Sequence, residues 1–237
     1  MTKTFLWIKD RKEKSRYTFW KTLMGQLAPN VIVESKTNNS ELVKAVINLK
    51  DEHNKYIIIF DNSFDNLQVA MEQKRLKECA DKKDNVYLID IICFEYIILE
   101  FADLLNWVYA PDDIFFIKRE NAIFARKKLI ESIDSGNMNY SGIKEIIQYD
   151  GKVAEHNVEQ LAAKILYDLT RNTGFEISKG KMGECWTVSC CEWKSREDSD
   201  VCGLDFNRMT IFEKMQRIYE RTCLKEQLGK VGLEVAF

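Results

Sequence analysis

The sequence predicts an α/β fold: a parallel four-stranded sheet flanked by helices, followed by a mainly helical C-terminal region that carries a cysteine-containing insert. Three observations lead there. Short apolar, β-rich runs alternate with helix-length segments through about residue 108, the pattern of βαβ units. Tyr56 to Phe60 is apolar without alternation, as in strands covered on both faces. After Pro111-Asp112-Asp113 the strand pattern gives way to helical spacing.

Each element has its own reason. Phe5-Leu6-Trp7-Ile8-Lys9 is a short apolar run ending at Asp10, and reads as the first strand. The charged run Arg11 to Arg16 reads as a loop. Tyr17 to Leu27 places Phe19, Trp20, Leu23, Met24 and Leu27 on one helical face, and Pro29-Asn30 ends it. Val31-Ile32-Val33 is the second strand. Asn39 or Ser40 can cap a helix whose apolar face is Leu42, Val43, Val46, Ile47 and Leu49. Tyr56–Phe60 is the third strand, Leu67 to about Ala80 a helix, and Val86 to Ile89 the fourth strand. Phe94 to Val108 reads as a very apolar helix.

Beyond a boundary placed near Ala110, Ile114 to Ile117 is short and apolar. Asn121 to Ile133, Ser141 to Tyr149 and His156 to Thr170 read as helices. Residues 174–205 form the cysteine-bearing insert. Thr210-Ile211-Phe212-Glu213 matches a capping box, starting a final helix that stops at Gly229.

Composition narrows the function. The chain has 237 residues, a formal net charge of −2, 46% hydrophobic and 30% charged residues, so a sizeable core can form. Near-neutral charge excludes a broadly basic nucleic-acid coat and leaves only local contacts. The longest apolar run, Ile89 to Phe101, carries Asp90, Glu95 and Glu100, which predicts no membrane span. No signal-peptide core stands near the start, so a cytoplasmic location is expected. Seven cysteines, an odd number, then point to free thiols or a metal site over a disulfide framework.

The candidate chemistry is carboxylate. Ligand sites of open α/β sheets lie outside the carboxyl ends of the strands. Asp10, Asp61 and Asp90 all stand at such ends. Asp61 and Asp65 are four residues apart at a strand-to-helix turn and can face one cleft. Mg²⁺ takes one or two carboxylates plus waters and phosphate oxygens. A second ion about 4 Å away would clamp both oxygens of a displaced phosphodiester. Asp10 and Glu95 can complete the set, Glu95 because an acid among Cys93, Phe94, Tyr96 and Ile97 is costly to bury unpaired. The bland alternative is that these acids are turn and cap residues. Lys9, Arg11, Lys12 and Lys14, beside the first acid, read either as contacts to nucleic-acid phosphates or as a solvated charge run.

On these residues the stretch through about Val108 resembles the Toprim-like domain, and more narrowly the RloB-like and OLD-type nucleases of bacterial defence systems. Asp10 stands near the family's first acid, Asp61 at its second, and Cys93-Phe94-Glu95-Tyr96-Ile97-Ile98-Leu99 at its Phe-Glu motif. The departures are Lys9-Asp10-Arg11, where the family has Glu-Gly, and Ser63, where it has the second Asp of Asp-x-Asp. The resemblance implies metal-dependent hydrolysis of nucleic acid in an anti-phage setting. Asp61, Asp65 and Glu95 would hold Mg²⁺ or Mn²⁺, with Asp10 orienting water or metal. It also implies work in larger assemblies. OLD-type systems pair the domain with an ATPase; this chain has no phosphate loop of the Gly-x4-Gly-Lys type, so an ATPase would be a separate subunit.

The insert carries Cys185, Cys190, Cys191 and Cys202. These are candidate Zn²⁺ ligands, although the paired spacers of common zinc sites are missing; the alternative is packed thiols. Two functions therefore stand: a metal-dependent Toprim-type nuclease, and a binding or regulatory subunit with an eroded site acting through a partner protein. Ser63 favours the second, and the clustering of Asp61, Asp65 and Glu95 the first. A nucleotide-binding domain ranks last, for want of a Gly-rich turn after a strand.

Overall fold

The computed structural model describes residues 2–62, 66–108, 114–149, 158–178, 180–191, 202–204, 207–233 and 235. The chain is α/β, with four parallel strands flanked by helices and a helical C-terminal region. The strands are β1 (Thr4–Ile8), β2 (Val31–Ser35), β3 (Lys55–Asp61) and β4 (Val86–Ile91), in the order β2-β1-β3-β4. Helices α1 (Ser15–Leu27), α2 (Asn39–Asn48) and α3 (Leu67–Ala80) make the crossovers.

Because successive strand residues point to opposite faces, one strand set feeds two cores. Leu6, Ile8, Ile57, Ile59, Ile89 and Ile91 pack on the α1 side. Trp7, Ile58, Phe60 and Val86 pack on the other side, under Leu42, Val43 and Val46 of α2 and Leu76 of α3. The chain moves from β1 outward to β2, then returns past β1 to β3. The connections leaving β1 and β3 therefore diverge, and the strand order reverses between them. That reversal is where open α/β sheets leave a crevice.

The C-terminal helices cover the α1 side. They are α4 (Phe94–Glu100), α5 (Leu104–Trp107), α6 (Phe116–Asp134), α7 (Ser141–Ile146), α8 (Val158–Thr170), α9 (Ile211–Glu220) and α10 (Leu224–Lys230). α8 packs on α4 and α6, and α9 packs on α1. Trp107, Phe175 and Trp186 meet edge-on or tilted at centroid distances of 5.0–5.9 Å and seat the insert on this core. Gly203 lies so close to the Asn106 carbonyl that any Cβ would overlap it. No helix among the described residues is long and apolar enough to cross a membrane.

Several boundaries differ from the sequence expectation, each for a local reason. The helix read from Phe94 to Val108 breaks at Phe101. The Arg126 guanidinium takes the carbonyls of Leu99 and Phe101, which a continuing helix would have used. The final helix divides after Glu220, where the Cys223 N–H donates to the Glu100 carboxylate. It runs one residue past Gly229, and the left-handed residue that ends it is Gly232, at φ +63. Helix α6 starts at Phe116, absorbing the second half of the apolar run Ile114–Ile117. The cap of α2 is Asn38, whose side chain accepts the Glu41 N–H, where Asn39 or Ser40 is expected from sequence. Ile47, placed on the apolar face, is 44% exposed.

Candidate functional site

Four carboxylates and two cations meet at the reversal between β1 and β3. Asp61 ends β3, and Lys9 and Asp10 follow β1. Arg16, Glu95 and Glu159 are each the second residue of a helix, α1, α4 and α8 respectively. Acids in a first helical turn are favoured by the helix dipole; a cation there is not, by about 0.3–1 kcal/mol. Arg16 stands against that preference because the acids around it outweigh the dipole.

The geometry is centred on Arg16, which is 5% exposed. One terminal nitrogen donates to Asp61 Oδ2 at 2.6 Å. The other donates to Glu95 Oε2 at 3.3 Å and Glu159 Oε1 at 3.2 Å. Its Nε lies 3.3 Å from Asp10 Oδ2, an ion-pair distance without hydrogen-bond alignment. Lys9 Nζ is 2.9 Å from Asp61 Oδ2 and 3.9 Å from Glu159 Oε2. Asp61, 1% exposed, is thus held by both cations.

One guanidinium cannot neutralise four acids, and the proton affinities follow. Burial pushes Glu95 up from the usual carboxylate range; Arg16 pulls it down, while Glu159 and Asp61 add to the rise. Burial raises Asp10 in the same way, against the pull of Arg16 and Lys9. Burial alone would lower Arg16, but Asp61, Glu95, Glu159 and Asp10 together hold its proton far more tightly than usual.

The site opens into a cleft of about 800 Å³. Asp10, Arg16, Glu95 and Glu159 form its floor, and Glu41 and Glu72 add acids to its wall. Thr37, also on the wall, has φ +56. A β-branched residue in that conformation stores about 1–3 kcal/mol of strain, of the kind that collects at functional clefts. Tyr149 Oη donates to Gln160 at 2.6 Å on the far side.

Asp10, Asp61 and Glu95, expected from sequence, are brought together. Asp65, like Ser63, lies outside the described residues. Asp90 is apart from the cluster, bonded to Gln73 and Lys77 of α3. Of the four basic residues, Lys9 is turned inward onto Asp61, while Arg11 and Lys12 are exposed and Lys14 half-buried just ahead of α1. Sequence reasoning missed Arg16 and Glu159. Arg16 sits in a charged run that reads as a loop, and Glu159 comes from 143 residues away.

The donor chemistry of the cluster suits a hard divalent cation: carboxylate oxygens only, four against two cations. The arrangement does not suit one, because the carboxylates are drawn onto Arg16. Among the described residues no group of three or more His, Cys, Asp and Glu is placed to hold a metal ion. None of the seven cysteines is in a disulfide. Cys185, Cys190 and Cys202 pack against the core, and Cys191 is exposed. Comparison with family models, curated proteins and solved structures finds no match.

Proposed function

We propose that this chain is a binding or regulatory subunit on a Toprim-like scaffold, whose acidic cleft is filled by its own cations. The observation that carries the reading is Arg16. Its buried guanidinium engages all four carboxylates at 2.6–3.3 Å, in the space that a metal ion would need. Displacing it would strip a buried guanidinium of its partners, at a cost of several kcal/mol.

The charge of the cleft also bears on what it receives. With Glu41 and Glu72 on the wall, acids outnumber bases, so a bare nucleic-acid phosphate is repelled. A partner protein offering Lys or Arg side chains is the complementary ligand. A metal-dependent nuclease is the second reading, favoured by the same excess of negative oxygen donors, which would draw a divalent ion. The ATPase subunit and the defence setting rest on the resemblance.

The test is a cleavage assay on mixed DNA and RNA with Mg²⁺ or Mn²⁺, beside calorimetric titration of both ions. The expected result is no cutting and no ion binding tighter than about millimolar, the range of weak oxygen sites. Metal-dependent cutting that disappears in both Asp61→Ala and Glu95→Ala would overturn the reading in favour of the nuclease.

A further inference from the structure

A second constellation lies away from this cleft. Cys185, Cys190, Cys191 and Cys202 are spread over 18 residues of chain, and all four line one small cavity. Its volume is about 20 Å³, room for a single water-sized occupant. Two cations, Lys214 and Arg208, line the same cavity. Lys214 is fully buried and donates to the carbonyls of Cys185 and Val188, at 2.8 and 2.9 Å, tying the insert to α9. The Cys190 N–H donates to the Met209 carbonyl at 2.9 Å. Gly174 permits the approach of Cys185, since a Cβ there would stand 2.3 Å from its Sγ.

We propose that these four thiols form a structural Zn²⁺ site that closes the insert onto the helical core. Packed thiols alone would not require four cysteines around one ion-sized space with two cations against it. Thiolates select Zn²⁺, Cu⁺ or iron–sulfur clusters. A cavity for one occupant leaves no room for a cluster, and a closed four-ligand shell is the structural zinc arrangement. On binding, four S–H bonds give four Zn–S bonds and four protons pass to solvent, with no change of oxidation state. The resulting ZnS₄ unit carries two negative charges, which Lys214 and Arg208 offset. Among the described residues no group of three His, Cys, Asp or Glu is placed to enclose an ion, so the proposed site requires the four sulfurs lining the cavity to draw closer together.

The experiment is elemental analysis of the full chain, produced with zinc in the medium and dialysed, beside the spectrum of the Co²⁺-substituted protein. The expected result is about one zinc per chain and a thiolate-to-cobalt charge-transfer band. Cys185→Ser/Cys202→Ser should lose both, while Cys79→Ser, on α3, keeps both. Should the double variant fail to fold, the wild-type zinc content and cobalt band decide alone. Wild-type protein holding under about a tenth of an equivalent of zinc, its thiols free or paired as disulfides, overturns the site, as does iron found in place of zinc.

Discussion

Arg16 is the residue on which the cleft depends. Asp61 is almost fully buried, and without the guanidinium only Lys9, among the described residues, remains to pair it. Arg16→Met should therefore destabilise the protein by about 3–5 kcal/mol at pH 7, the usual cost of stripping one partner from a buried ion pair. Urea denaturation measures it. The sign of the pH dependence follows from the acids. Glu95 and Asp10 have folded-state values above the ordinary 4.5 and 3.8, so the native state binds more protons than the unfolded state in that window. Stability consequently falls as pH rises through it. Removing Arg16 removes a cation that lowers both groups, widening the window upward. The loss should be smaller at pH 5 than at pH 7. Equal losses at both values would mean that the carboxylates are not what Arg16 neutralises.

At the scale of elements, the capping box before α9 is readable in four letters. The Thr210 hydroxyl accepts the Glu213 N–H at 3.2 Å, and the Glu213 carboxylate accepts the Thr210 N–H at 2.6 Å. Thr210→Ala should cost about 1 kcal/mol. That lowers the melting temperature by about 2–4 °C for a chain of this size. A calorimetric scan showing no shift would mean that α9 is held by packing alone. The sequence is less informative where an element ends inside the core. The break at Phe101 depends on Arg126, 25 residues on, and the break before α10 on Glu100, 123 residues back. Neither partner leaves a local trace, so an apolar helical pattern runs straight across both boundaries.

At the scale of the molecule, one continuous core joins the α1 side of the sheet to the C-terminal helices. Leu6, Trp20, Phe94, Trp107, Leu166, Trp186 and Ile218 belong to the same buried cluster. Burial at roughly 25 cal/mol per Å² makes this shared surface the main stabilising contribution. Unfolding should be cooperative. Of the five tryptophans, Trp20, Trp107 and Trp186 report on this side and Trp7 on the other face of the sheet, with Trp193 outside the described residues; their fluorescence should share one midpoint with far-ultraviolet circular dichroism. Two separated midpoints would show that residues before and after about 110 fold independently.

The sequence by itself determined the strand–helix alternation, the parallel sheet and the carboxylates at strand ends. Each is written in local periodicity, with Phe5–Ile8 of β1 and Tyr56–Phe60 of β3 continuous apolar runs and α1 and α8 carrying buried faces at helical spacing. Tertiary structure alone decided what those carboxylates face. Arg16 reads in sequence as one more charge in a solvated run, yet folding buries it between strands 1 and 3 and the first turns of α4 and α8. The physical reason is that a charge is defined by its environment. Solvent screens an exposed arginine, whereas a buried one must find anions, and those anions come from positions 45, 79 and 143 residues away.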